Sequence, residues 1–377
     1  MPDRFDTENY QQLFLSDTPL IDTRAPIEFA QGSFPKAVNL PLMSDEQRAQ
    51  VGTEYKNNGQ QSAIALGHQL VHGEAKQALI QNWKNFAEQN PNGFLFCLRG
   101  GLRSQISQQW LSEAGCDYPR VLGGYKSMRQ FLLQALPDSL QQGPLLVLSG
   151  QTGCAKTQLL QGIEHAVDLE GLANHRGSAF GKRVHGQPSQ IDFENTLAIE
   201  FLKRRHVSAQ KTIVLEDESH LIGRNVLPDA LLGAMQQAPI AMIEMPLEQR
   251  VQHTYQNYIL HKLQEWQEFA GAEQGFVAFA EELQTSLASL KRRLGGWRYQ
   301  QLQLQMQSAL VSHQHGNSEQ HLHWIHTLLK EYYDPMYQYQ LSKKSDRIVF
   351  RGSYDDVEQF LQHNTLTQFH KGKTDAT

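Results

Sequence analysis

The chain has 377 residues, 40% of them hydrophobic, and a formal net charge of −5. That length suggests two or three domains with real cores, and the negative balance excludes global affinity for nucleic acid, so any such contact must come from local basic clusters. Three cysteines (Cys97, Cys116 and Cys154) without a CxxC pair exclude a disulfide scaffold or a cysteine-rich zinc site. The polar start, Met1-Pro2-Asp3-Arg4-Phe5-Asp6, has no signal-peptide pattern, and the apolar runs are short. The expected location is the cytoplasm, where a free thiol stays reduced, with neither membrane nor DNA as a partner.

In chain order, Pro19–Asp22 is an apolar strand ending in Thr23-Arg24. Ile27–Gln31 reads as one helical turn, Gly32–Pro35 as a turn, and Ala37–Leu40 as a second short strand. Helical patterns follow over Ala63–Val71 and Glu74–Gln89. Phe94-Leu95-Phe96-Cys97-Leu98-Arg99-Gly100-Gly101-Leu102-Arg103-Ser104 then places a thiol at a strand's end before a glycine-rich loop and a helix at Ser104–Ala114. Glycines let successive N–H groups turn inward as an anion nest, and the nest, the helix N-terminus, Arg99 and Arg103 all favour a thiolate. Arg120-Val121-Leu122 is another strand, Gly123-Gly124-Tyr125 a turn, and Lys126–Ala135 a helix. Strands alternating with helices imply a parallel sheet with helices on both faces over residues 1–137, with the cysteine at a strand's C-terminal end.

Residues 138–144, bounded by Pro137 and Pro144, read as a linker before a second domain at 145–377. Leu145–Leu148 is a buried strand, and Ser149-Gly150-Gln151-Thr152-Gly153-Cys154-Ala155-Lys156-Thr157 follows, then a helix over Gln158–Ala166. This is a Walker A loop in its strand–loop–helix context, so residues Gly150 to Thr157 are the diphosphate-binding candidates, Lys156 supplying charge and Thr157 placed to reach magnesium. Ala155 stands where that pattern has glycine. The dense run Asp168–Gly181 makes His175 and Arg176 ligand-facing candidates. Ile191–Arg205 is an amphipathic helix. Thr212–Ser219 is an apolar strand ending in acids, with Glu216 or Asp217 as the residue that would hold a magnesium ion beside the P-loop. Pro239–Met245 is a further core strand. From about residue 247 to Leu329 the pattern is helical, and Tyr255, Tyr258, Trp266 and Phe269 serve core packing or base stacking. A late strand at Arg347–Phe350, a helix at Tyr354–Gln362 and a frayed tail after Phe369 complete the chain. The basic clusters Lys203-Arg204-Arg205, Lys291-Arg292-Arg293 and Lys343-Lys344 are the local positive patches.

Asp22-Thr23-Arg24, the Gly32 turn into Asn39-Leu40-Pro41, the Cys97 loop and Leu122-Gly123-Gly124 resemble a rhodanese domain, although Ser33 and Lys36 replace that family's usual His and second Gly. The expected fold is therefore α/β: a rhodanese-like parallel sheet, then a P-loop NTPase-like α/β domain with a helical C-terminal portion. The loop is also similar to phosphatase loops, but Phe96 fills the place of their usual His, favouring chalcogen transfer over phosphate-ester hydrolysis. Together with Asp168–Gly181, Gln187–Glu194, Leu215–Gly223 and Tyr332–Tyr337, these runs resemble the tRNA 2-selenouridine synthase family across most of residues 20–340. The resemblance implies exchange of the C2 sulfur of a wobble 2-thiouridine for selenium, by S-geranylation from geranyl diphosphate and then selenation from selenophosphate. It also implies tRNA as substrate, a selenophosphate-producing enzyme as a partner, Cys97 as selenium carrier, Arg99 and Arg103 as donor holders, and an apolar pocket near the P-loop among the later helices. Competing readings are an ATP-using activator or kinase fused to a rhodanese-type sulfurtransferase, and a nucleotide-gated binding protein with an idle cysteine module.

Overall fold

The computed structural model describes residues 4–363. The expected frayed tail lies outside them. Among the described residues two compact units are present, one formed by residues 4–139 with 189–207, the other by 140–188 with 208–363.

The first unit is built on three parallel strands, β1 (Leu20–Asp22), β2 (Ala37–Asn39) and β3 (Phe94–Phe96), in the order β2-β1-β3. Parallel bridges carry the sheet on from Leu95 to Arg120 and from Val121 to Thr7. The strands are short, and the central β1 is wholly buried. Ile21, Leu95, Trp83, Trp110 and Leu111 form the core between sheet and helices. Asp22-Thr23-Arg24 is part of that framework: Arg24 makes a buried ion pair with Asp22 at 2.6 Å, lies 3.8 Å over the Tyr125 ring, and donates to the Gly32 carbonyl.

Two boundaries differ from the sequence expectation. The stretch expected as a linker is helical to Gln142, because the helix Gly124–Gln142 runs through Pro137. The helix Gln190–Val207, read as part of the second domain, packs in the first unit. Its Asp192 carboxylate accepts from the Ser33 N–H at 2.6 Å, and its Asn195 amide donates to the Ser33 carbonyl at 2.6 Å. A Cβ on Gly32 would lie 2.4 Å from the Ile191 side chain, so this turn is closed by a helix distant in sequence.

The second unit has five parallel strands in the order β10-β9-β4-β6-β5, and an antiparallel hairpin. The strands are β4 (Leu145–Gly150), β5 (Ala166–Val167), β6 (Ile213–Glu216), β7 (Leu221–Ile222) and β8 (Asn225–Val226) of the hairpin, β9 (Ile240–Ile243) and β10 (Ile348–Gly352). β4 is central, so its C-terminal loop sits where open parallel sheets gather their chemistry. Residues 247–342 are almost wholly helical, and Ile259, Phe279, Leu283, Met306, Trp324 and Tyr333 share their core. Tyr255 is buried and Tyr258 and Trp266 pack against that core, whereas Phe269 is exposed. Among the described residues no helix is long and apolar enough to cross a membrane.

Candidate active sites

Cys97 follows directly on β3, and the loop after it is clamped to a second loop. The Tyr125 N–H donates to the Cys97 carbonyl at 2.9 Å and the Lys126 N–H to the Leu98 carbonyl at 3.0 Å. Arg120, itself paired with Asp6, donates to the Gly100 carbonyl at 2.8 Å. Gly124 is needed for this approach: its φ is +58°, and a Cβ there would fall 2.2 Å from the Cys97 carbonyl oxygen. The contact explains why the cysteine loop and the Leu122-Gly123-Gly124 run belong together.

The Cys97 residue is only 3% exposed, but its thiol does not face hydrocarbon. Its Sγ lies 3.3 Å from the Ser104 hydroxyl and 3.9 Å from the Gly101 carbonyl. The two arginines divide. Arg99 is exposed. Arg103 makes a two-pronged pair with Glu28 at 2.5 and 3.2 Å. Burial alone would lower its guanidinium, but Glu28, with smaller contributions from Cys97 and Asp22, raises it. Sequence reading missed Glu28, since one acid on a short helix gives no local signal; its place opposite Arg103 is set by the fold.

In the second unit Gly150–Thr157 joins β4 to the helix Lys156–Gln161, which is shorter than expected. Ala155 takes the left-handed conformation, φ +62° and ψ +29°, that the missing glycine would adopt freely. Cys154 is buried behind the loop, beside Gly150. The Lys156 ammonium donates back to the Gly150 carbonyl at 2.9 Å. Burial by itself would lower the lysine, yet the charges of Cys154, Glu170, Glu218 and Tyr337 push it up. Arg250 pins the loop from outside: it donates to the Thr152 carbonyl at 3.2 Å and pairs bidentately with Asp334 at 2.8 and 2.7 Å. Tyr337, one turn on from Asp334 in the helix Asp334–Ser342, places its hydroxyl 3.0 Å from the Ser149 hydroxyl. The Tyr332–Tyr337 run thus supports the P-loop from a distant element.

The acids beside the P-loop have different partners. Glu216 is fully buried, its carboxylate accepting from the Leu169 N–H at 2.8 Å, and burial with Asp168 and Glu170 nearby holds its pKa well above the usual carboxylate range. Asp217 is taken by Ser149 at 2.5 Å and by Lys344. The carboxylate that reaches Thr157 is Glu170, accepting from its hydroxyl at 3.0 Å. Glu218 shares a hydrogen bond with Glu170, and burial, followed by the Glu170 charge, pushes it up to about 8. Gly177 makes room for this pair, because a Cβ there would sit 2.4 Å from a Glu170 oxygen and 2.8 Å from a Glu218 oxygen. β6 explains the swap: side chains alternate along an extended strand, so the acids at its end diverge, and the loop from Asp168 supplies the missing carboxylate.

His175 and Arg176, the ligand-facing candidates, both make contacts within the unit. Arg176 turns inward to the Asn257 carbonyl at 2.6 Å and Glu265 at 3.3 Å, with its guanidinium over Tyr258. His175 is buried, and burial, with Lys262 and Lys182 adding to it, lowers its pKa. Arg176 thus braces the segment after Glu170, and the His175 N–H donates to the Glu170 carbonyl at 2.9 Å. The donors left beside Lys156 are a hydroxyl and two carboxylates, an oxygen set that fits a magnesium ion, which commonly takes one or two protein carboxylates.

The second unit is a P-loop unit with acids at the loop's mouth, and the same chain carries a cysteine set in a glycine-rich loop. The family model described as the tRNA 2-selenouridine synthase AAA domain matches residues 143–368. Over nearly its whole length the chain is similar to proteins named tRNA 2-selenouridine synthase. That of Hahella chejuensis is 56% identical (96% of this chain, 96% of the relative) and that of Bordetella petrii 52% (95% and 96%). That of Pseudomonas paraeruginosa is 49% identical (95% and 98%). The chain belongs to the tRNA 2-selenouridine synthase family, and it is an enzyme.

Proposed function

We propose that this enzyme replaces the C2 sulfur of a wobble 2-thiouridine in tRNA with selenium, in two steps carried by its two loops. The observation that carries the reading is the pairing, in one chain, of a Walker A loop with a cysteine set in a polar, glycine-rich loop. We read the first unit as rhodanese-like on the basis of its β2-β1-β3 parallel sheet and the cysteine at the end of β3.

A thiocarbonyl sulfur leaves poorly as sulfide. Alkylating it gives a neutral thiol leaving group and a more electrophilic C2. In the first step the sulfur bonds to the allylic carbon of geranyl diphosphate while the carbon–oxygen bond breaks and diphosphate departs. The loop N–H groups and Lys156 are suited to the charge that gathers on that leaving group. Thr157, Glu170 and Glu218 would hold a magnesium ion there, which would add positive charge beside the diphosphate. Such a site does not require nucleotide hydrolysis, so Ala155 need not meet a hydrolase's demands.

In the second step selenium bonds to C2 and geranyl thiol leaves. As a carrier, Cys97 attacks the selenium of selenophosphate, the phosphorus–selenium electron pair leaves with phosphorus as phosphite, and a further thiol later releases the selenouridine as a disulfide forms. The burial of Cys97 favours a second reading. There the loop holds the phosphoryl end of the donor, selenium attacks C2 directly, and hydrolysis of the phosphorus–selenium bond yields phosphate without redox change.

Purified protein, thiolated tRNA and the two donors, added separately and together, test the proposal by nucleoside mass analysis. Cys97→Ala should stop selenation and leave geranylation, and Lys156→Ala should lower geranylation by about a hundredfold, the scale for losing one charge-stabilising donor. ATP turnover dependent on Lys156 without prenyl diphosphate would support the activator reading instead. Phosphite with thiol dependence supports the carrier route, and phosphate without it the direct route.

A further inference from the structure

The first unit holds a cavity of about 570 Å³, within the roughly 300–1,000 Å³ of small-molecule sites. It lies beside the cysteine loop. The helical segment Asp45–Leu70 bends at Gly59, where φ is +84°, and both halves line the cavity. Val51 comes from the first half and Ile64 and Gly67 from the second, while Leu42, Val71 and Trp110 add apolar wall. Arg48, Lys56 and Arg103 also line it.

Two residues tie the cavity to the thiol. Leu102 and Arg103 belong to its wall, and they directly follow Gly101, whose carbonyl lies 3.9 Å from the Cys97 Sγ. Arg103 therefore serves the cavity and the cysteine loop at once. A selenium donor is small and anionic and has no use for apolar walls of this extent. An S-alkylated uridine does: its chain is apolar, and its nucleotide is anionic and suits the exposed Lys56, Arg48 and Arg103 being already paired with Glu28.

Resting on the two-step reading above, we propose that this cavity receives the alkyl group of the S-alkylated uridine and so presents C2 to the Cys97 loop. The cavity then acts as a specificity site. Unalkylated thiouridine lacks the group that fills it, so selenation waits for alkylation.

The test uses the full chain and anticodon-stem RNA bearing preformed S-geranyl- or S-methyl-2-thiouridine, with selenophosphate. A Cβ on Gly67 would meet only the Val51 side chain, at 3.9 Å, so Gly67→Leu adds apolar bulk where there is space. KM for the geranylated RNA should rise at least tenfold relative to that for the methylated RNA. An unchanged KM ratio in a Gly67→Leu protein that melts like the parent overturns the proposal. Should that variant fail to fold, a photoreactive geranyl analogue on the same RNA decides the matter with the unaltered protein: label within residues 42–71 or 102–110 supports it, and label confined elsewhere overturns it. If the unaltered protein makes no selenouridine from preformed geranylated RNA, the two-step reading itself fails, a result distinct from both.

Discussion

Ala155 sits at φ +62°, in a region that costs an L-residue about 1–2 kcal/mol. Ala155→Gly relieves that strain but adds unfolded-chain freedom worth roughly 0.5–1 kcal/mol, so its stability should stay within about 1 kcal/mol of the parent. Ala155→Val places a β-branched side chain at the same φ and should abolish diphosphate binding, measured by calorimetry with a prenyl diphosphate; retained affinity would show that the loop rebuilds. Glu218 gives a pH prediction with a definite sign. Its pKa is pushed from the ordinary 4.5 to about 8 by burial and by Glu170, so the folded protein holds a proton there that the unfolded chain releases. Stability should therefore fall as pH rises through the window from about 4.5 to 8. Glu218→Gln should flatten that slope in denaturant melts; an unaltered slope would assign it to other groups.

At the scale of elements, basic runs that look alike in sequence have different fates. Lys203-Arg204-Arg205 is spent within its unit: Lys203 pairs with Asp17, Arg204 with Glu200, and Arg205 is buried, donating to the Ser139 carbonyl. Lys344 is held by Asp217. Lys291-Arg292-Arg293 instead forms a short exposed helix, and Trp297 close behind it is 67% exposed. A basic run beside an exposed indole has the chemistry of RNA contact, charge for phosphates and a ring for stacking. Arg292→Glu with Arg293→Glu should weaken binding of the proposed tRNA several-fold and lower its salt slope by about 1 for each phosphate no longer neutralised. Filter binding across a salt series measures both, and an unchanged slope would place the RNA elsewhere. The kink at Gly59 belongs to this scale too: without it Asp45–Leu70 would be one long rod, with no cleft between its halves.

Across the whole molecule, what could be read from the chain alone was what neighbours in sequence decide. Cys97 with its paired glycines and Gly150–Thr157 are contiguous runs whose backbone chemistry is written in consecutive residues. Continuous apolar runs and helical periodicity likewise located β4, β6, β9 and the helices after residue 247. Tertiary structure alone decided the partners. Glu170 rather than Glu216 or Asp217 meets Thr157, Glu28 neutralises Arg103, Arg250 and Asp334 pin the P-loop, and the helix at 190–207 closes the turn at Gly32. The reason is physical. A nest or a helix start is made by adjacent residues, whereas the direction of a side chain at a strand's end depends on which distant loop packs against it. The walls of a cavity depend likewise on how a bent helix folds over a sheet.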